Sequence, residues 1–252
     1  MNQGSRTREA AAGARAQEPG PFAAYAGRWW DADGPFKPLH ALNPVRLAYI
    51  RDSLCAHFGR DPRSFESLAG LRILDVGCGG GLLSEPMARL GAEVVGADSE
   101  ESNIRAARTH AEAGGLAIDY VHARAEDLAE WGETFDAVLA MEVIEHVDDA
   151  NAFLAACGAL TQPGGALVFA TLSRTMKAYA MAIVGAEYVL GWLPRGTHDW
   201  KKFLRPSEIA RPLRSNGFTL QDVTGVSYDA IETTWRTRRD PSVNYMGFAA
   251  KA

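Results

Sequence analysis

From Leu71 onward, short apolar runs alternate with longer stretches in which apolar residues recur every three or four positions. The runs are LRILDV, AEVVGAD, IDYVHA, FDAVLA and ALVFAT, and the stretches between them include 82–90, 100–114 and 148–160. Compact apolar runs bounded by turn residues read as buried strands, and the periodic stretches as helices. This rhythm predicts βαβ units, hence a parallel sheet covered by helices on both faces. It breaks after Thr171. An apolar segment at 176–193 leads into a loop rich in proline and charge, a helix near 206–216, and two last strands near 218–228 and 243–249.

Upstream, Phe22, Tyr25, Trp29 and Trp30 crowd together, so ordered sequence is expected to begin there. Residues 31–44 hold three prolines and a glycine and read as a loop or extended arm. A helix fits Pro44 to Phe58, with Asn43 as N-cap, Pro44 in the first position, and Val45, Leu47, Ile50, Leu54 and Phe58 largely on one face. Residues 1–21 lack the apolar stretch of a secretory signal, and Glu9 and Glu18 disfavour an Arg-bearing transit peptide, so a disordered tail is expected. Without repeats or a long linker, 22–252 reads as one domain, with an N-terminal arm at 22–66 and an insertion or lid at 172–205.

Composition adds limits. The 252 residues are 47% hydrophobic and 23% charged, as in a globular protein, and the net charge of −5 argues against a nucleic-acid partner. Cys55, Cys78 and Cys157 are widely spaced with no C-x-x-C pair, which reads as free thiols in a reducing, cytoplasmic compartment.

The sharpest local feature is Asp75-Val76-Gly77-Cys78-Gly79-Gly80-Gly81, at the end of the first predicted strand and opening a helix. Glycines there let the chain turn tightly and let a ligand approach backbone N–H groups. A dinucleotide fingerprint needs glycine at 82, where Leu82 stands. Asp75 would repel a pyrophosphate but suits a ligand bearing an ammonium or sulfonium. Asp98, 21 residues after Gly77, ends the next strand, where a carboxylate can accept both hydroxyls of a ribose. The combination points to S-adenosylmethionine rather than NAD, with Gly77 and Asp98 as the firmest contacts, Asp75 and Gly79 beside them, and Gly80 serving the turn. Glu126 has two readings: an acid reading the adenine edge, or part of an acidic first helical turn favoured by the helix dipole. Met141, at the ligand-facing end of the fourth strand, is expected beneath the donor rather than only in the core.

Glu142, Glu145 and His146 follow that strand at i, i+3 and i+4, so a helical turn would project them from one side. Two carboxylates and an imidazole there suit general-base work or a hard divalent ion such as Mg²⁺. Beside a methyl-donor pocket that reading outweighs a solvated acidic helix start. The [DN]-P-P-[YF] stretch common in enzymes that methylate exocyclic base amines is missing after this strand, which favours an oxygen acceptor. The segment 176–193 carries only Lys177 and Glu187 as charges, with Tyr179, Tyr188 and Trp192 suited to a water–lipid interface. Most of it reads as a buried helix covering the active site; as a lid over a greasy substrate it can also rest on the inner face of a membrane, and it is too interrupted to span one.

Several motifs together resemble one family: Trp29-Trp30-Asp31, Phe36-Lys37-Pro38-Leu39-His40, Asn43-Pro44-x-Arg46-Leu47, the glycine loop, Met141-Glu142-x-x-Glu145-His146, Val184-Gly185-Ala186-Glu187-Tyr188, Gly196-Thr197-His198-Asp199, Lys201-Lys202-Phe203 and Val243-Asn244-Tyr245-Met246. They are similar to the ubiquinone-biosynthesis O-methyltransferases over about residues 22–248. The resemblance implies a seven-stranded, mostly parallel class I methyltransferase sheet of Rossmann-like type, with helices on both faces, an N-terminal helical arm and an apolar helical insertion after the fifth strand. It further implies O-methylation of a polyprenyl benzenediol and of demethylubiquinol, a prenylated phenol or quinol as partner, and a place in a ubiquinone-biosynthesis complex. By position it assigns donor binding to Arg46, Gly77, Asp98 and Met141, and matches Glu142, Glu145 and His146 to a divalent-metal site. A guanidinium at Arg46 can clamp the methionine carboxylate bidentately. Competing readings are an O-methyltransferase for another lipophilic phenol and a silent donor-binding scaffold.

Overall fold

The computed structural model describes residues 23–181, 199–229 and 232–252. The expected tail at 1–21, most of the apolar segment 176–193, and the Val184–Tyr188 and Gly196–His198 motifs lie outside the described residues.

Helix α1 (Lys37–Phe58) is followed by β1 (Arg72–Val76), α2 (Ser84–Arg89), β2 (Glu93–Asp98), α3 (Glu101–Ala113) and β3 (Asp119–His122). Next come α4 (Ala125–Glu130), β4 (Phe135–Met141), α5 (Ala150–Leu160), β5 (Thr161–Leu172) and the short α6 (Met176–Ala178). The described chain ends with α7 (Pro206–Ser215), β6 (Phe218–Asp229), β7 (Thr234–Arg238) and β8 (Asn244–Lys251). All the strands join one sheet in the order β3-β2-β1-β4-β5-β8-β6-β7. The first five pair in parallel, and β8 enters antiparallel, from Ala166 opposite Ala250 to Leu172 opposite Asn244.

Each strand feeds both faces by simple alternation. Leu74, Val76, Val138, Ala140, Leu167 and Phe169 point to a core shared with α4, α5 and α7. Their neighbours Ile73, Val94, Leu139, Val168 and Ala170 point to a second core under α1 and α2. Every Leu, Ile or Phe buried there contributes about 1.5–3 kcal/mol, which is why the apolar runs located these strands.

Two expectations need correction. The sheet has eight strands rather than seven. The addition, β7, reads TWRTR and exposes both its arginines, so no apolar run marks it; it forms as the outer arm of an antiparallel hairpin with β6. The second correction concerns residues 37–44, expected as a loop and found as the first two turns of α1. Pro38 sits near the N-terminus, where its missing N–H costs nothing, and Pro44 lies inside the helix, not at its start. Packing of Leu42, Ile50 and Leu54 holds the helix through Pro44, and Asn43, expected as N-cap, instead donates from Nδ2 to the Leu82 carbonyl at 2.8 Å.

The order reverses between β1 and β4, whose chains cross to opposite faces. Such a switch point leaves a crevice at the carboxyl ends of the strands, and the glycine loop and the 142–146 turn both start there.

Candidate active site

The glycine loop leaves β1 with Gly77, Gly79 and Gly81 all at positive φ, between 54° and 86°. Backbone there favours glycine, and close neighbours make the requirement stricter. A Cβ on Gly77 would lie 2.4 Å from Val143 Cγ2, and one on Gly79 would lie 2.5 Å from the Trp29 ring. Gly80 lacks the positive φ, yet a Cβ there would also strike Trp29, at 2.3 Å. The tryptophan pair therefore roofs the loop. Trp29 stacks on Phe36 with ring centroids 3.7 Å apart, and Trp30 Nε1 donates to the Gly80 carbonyl at 2.9 Å.

Asp98 closes β2 facing this loop, and both of its oxygens are engaged. Oδ2 accepts from Gly79 N at 2.9 Å, while Oδ1 accepts from Glu100 N at 2.8 Å and Asn103 Nδ2 at 3.2 Å. Asn103 Oδ1 in turn accepts from Trp29 Nε1 at 2.9 Å. Burial raises the Asp98 carboxyl above its usual range, opposed by these donors. Asp75 lies beneath the loop, with Ser84 Oγ donating to Oδ2 at 2.6 Å, and burial pushes its carboxyl up to about 6.

Arg46 projects from α1 into the same region. Its Nη2 donates to Asn43 Oδ1 at 2.7 Å, and its buried Nε has no hydrogen-bond partner. The guanidinium is within electrostatic reach of both Glu142 and Asp75, so it stands between the glycine loop and the 142–146 turn. Met141 is the last residue of β4, buried in the core under α1. Glu126 sits in the acidic first turn of α4, with Arg124 Nη2 donating to its Oε1 at 3.4 Å.

Residues 142–146 form a turn, not the helical turn expected; the helix starts only at Ala150, capped by Asp149. Glu142 takes φ of 60°, rare for a side-chain-bearing residue and strained by about 1–3 kcal/mol. Its N–H donates to the Ala170 carbonyl at 3.0 Å, and His146 N donates to Val143 O at 2.9 Å. Glu145 is buried: Thr171 Oγ1 donates to Oε2 at 2.8 Å, Oε1 takes no donor, and the Glu142 carboxyl lies within hydrogen-bonding reach of the group. Burial pushes its carboxyl up to about 7. His146 is half-buried; desolvation lowers its pKa, with Lys202 acting in the same direction and Glu142 against it. Lys202 Nζ reaches the His146 carbonyl at 3.4 Å, which brings the basic stretch after the insertion onto this turn. Among the described residues no three His, Cys, Asp or Glu side chains are grouped so as to hold a metal ion.

The sequence reading missed Trp29 and Asn103 as supports of Asp98, Asn43 as the partner of Arg46, and Thr171 and Asn244 beside the 142–146 turn. The tryptophans and Asn244 fall in quoted motifs, but nothing in their spacing says what they touch.

Residues 74–169 match the family model of a methyltransferase domain. The ubiquinone biosynthesis O-methyltransferase of Mesorhizobium japonicum is 55% identical over 230 residues, covering 91% of this chain and 92% of its own. That of Parvibaculum lavamentivorans is 56% identical over 231 residues, covering 92% and 91%. Among solved structures, the magnesium protoporphyrin IX methyltransferase of Synechocystis PCC 6803 with bound SAH superposes with a TM-score of 0.56 at 22% identity, covering 81% of this chain and 83% of that one. The plantazolicin methyltransferase BamL, also with SAH, gives 0.65 at 13% identity over 91% and 96%; at such identities the likeness shows the fold. Identity of 55% across nine-tenths of the sequence places the chain in the ubiquinone biosynthesis O-methyltransferase family, and so among the O-methyltransferases that use S-adenosylmethionine.

Proposed function

We propose that the chain methylates a ring hydroxyl of a polyprenyl benzenediol and of demethylubiquinol. A prenylated phenol is the acceptor that ubiquinone biosynthesis implies. The donor lies along the glycine loop, with Gly77 and Gly79 against it, Asp98 at the ribose, Glu126 toward the adenine and Met141 beneath. Arg46 clamps the methionine carboxylate, a role supported by its buried Nε without a partner. Asp75, under the loop, offers negative charge toward the sulfonium end.

The observation that carries the acceptor side is His146, half-buried beside the strained Glu142 and pushed toward its neutral form. A neutral imidazole accepts the hydroxyl proton near pH 7. The phenolate oxygen then attacks the methyl carbon in line; the C–S bond breaks, its electron pair stays on sulfur, and S-adenosylhomocysteine leaves. Glu142 keeps negative charge near the imidazolium. The site contributes alignment and exclusion of water.

The cation expected at Glu142, Glu145 and His146 does not fit the described residues, among which no three such side chains are grouped to hold a metal ion. A hard cation such as Mg²⁺ bound there would lower the hydroxyl pKa as a Lewis acid. Methyl transfer from labelled S-adenosylmethionine to a short-tailed demethylubiquinol, with Mg²⁺ and with EDTA after dialysis against chelator, tests both. Product only with metal assigns the cation to this site. Product in both arms leaves His146 as a metal-free base. No product in either, from protein that binds donor, overturns the acceptor assignment.

No helix among the described residues is long and apolar enough to cross a membrane. We propose peripheral contact at the inner membrane face through 176–193, supported by exposed Met176, Tyr179 and Met181 around Lys177. Equal pelleting with liposomes by wild type and a folded 176–193 deletion would sink that idea.

A further inference from the structure

Asn244 opens β8, opposite Leu172, the last residue of β5, and opposite Val226 of β6. Its position is therefore the rim of the sheet, beside the carboxyl end of β4 where the 142–146 turn begins. Only 7% of Asn244 is exposed. Its Nδ2 donates to Glu142 Oε1 at 3.5 Å, and its Oδ1 is buried with no hydrogen-bond partner. A second buried acceptor without a partner, Glu145 Oε1, belongs to the same turn. A buried amide oxygen left unpaired costs about 1–3 kcal/mol, so such a group calls for a partner: a water, an ion or a bound molecule.

Resting on the function proposed above, we infer that Asn244 is an acceptor-binding residue that selects diols. Its Nδ2 fixes the Glu142 carboxylate, and its Oδ1 accepts a hydrogen bond from the ring hydroxyl that is not being methylated. The acceptor carries two hydroxyls with different fates. One loses its proton to the base and takes the methyl group; the other keeps its proton and needs an acceptor in a buried site. A neutral amide oxygen meets that need without adding charge beside Glu142 and Glu145. Recognition of this kind discriminates strongly, because an analogue lacking the hydroxyl leaves the buried oxygen unpaired.

The test compares a short-tailed prenylated catechol with the matching monophenol that lacks the second hydroxyl. Wild type favours the catechol in kcat/KM. Asn244→Leu keeps the volume and removes both polar atoms. It is expected to lower kcat/KM for the catechol by about tenfold more than for the monophenol, which loses only what the contact to Glu142 contributes, and to leave donor Kd within about twofold. Collapse of the catechol-to-monophenol ratio is a change that a purely structural role does not produce. Asn244→Ala, smaller and with no polar side-chain atom, gives the same comparison if the leucine variant does not fold. Equal losses on both acceptors, or an unchanged ratio, overturn the inference while the proposed function stands. Wild type that binds donor but turns over neither acceptor overturns the function, and the inference with it.

Discussion

At the glycine-loop end of the crevice, Asp98 has a donor on each oxygen, and one of those donors, Asn103, is held by Trp29. Asp75 is likewise tied to Ser84. Across the crevice, Glu142 sits in a strained backbone region, Glu145 keeps one buried oxygen without a partner, and Asn244 does the same. One carboxylate pair is completed by the fold itself; the other region keeps strained or unpartnered groups. Satisfied networks are rigid and ready before binding, which suits a donor that is the same in every turnover. Unsatisfied, strained groups raise the energy of the empty site, and under the proposed function contacts to the acceptor would recover that energy. Arg46 stands at the boundary, with one nitrogen satisfied and another open.

The largest separation of the two regions is expected from His146→Ala. A general base contributes about 10²–10⁴-fold to rate, so kcat with a benzenediol should fall by about that range while donor affinity stays within about twofold. Stopped-flow turnover and isothermal titration with S-adenosylhomocysteine check the pair of values. Lost donor binding with unchanged kcat at saturation would dissolve the division, since His146 would then belong to the donor side.

Gly77→Ala attacks the seam. The new methyl group meets Val143 Cγ2 at 2.4 Å in a backbone conformation that disfavours any Cβ. Strain and overpacking together are expected to cost about 2–4 kcal/mol of stability. Because Val143 lies between Glu142 and Ile144, both donor affinity and turnover should fall. A loss confined to donor binding would show that the two regions are mechanically independent. Urea denaturation followed by tryptophan fluorescence, alongside both functional assays, reads all three.

What the sequence revealed divides along the same line. Gly77, Gly79 and Asp98 were legible because backbone conformation and strand ends dictate residue type there, and local spacing carries that information. The parallel strands were legible because burial on both faces makes them apolar. β7 was not, since a hairpin's outer arm is held by backbone pairing to β6 and needs no apolar run. Likewise, the helix through Pro44 depends on packing of Leu42, Ile50 and Leu54 that local propensity does not contain. Glu142, Glu145 and His146 were found as residues, but their helical turn was wrong: Glu142 at φ 60° breaks any helix there. Asn103, Thr171 and Asn244 act through contacts across 5 to 102 positions of sequence, which no motif spacing encodes.

The last expected effect is the change in stability from Glu145→Gln. Burial raises the Glu145 carboxyl from about 4.5 in the unfolded chain to about 7 in the fold. The folded state therefore binds more protons than the unfolded state between those values, and linkage makes stability fall as pH rises through that window. The stabilisation is fully present below about pH 4.5 and lost above about pH 7. Glutamine has no proton to lose, and its amide oxygen can still accept from Thr171. Relative to wild type, the variant should gain on the order of 3 kcal/mol between pH 4.5 and 8, while Asp75 and Asp98 contribute equally to both proteins and cancel. Denaturant midpoints across that range measure the difference. A gain in stability joined to a loss of methyl transfer would identify Glu145 as a group kept in an unfavourable state for function. A variant less stable than wild type at every pH would instead make the carboxylate part of the fold's own support, and the contrast with Asp98 would disappear.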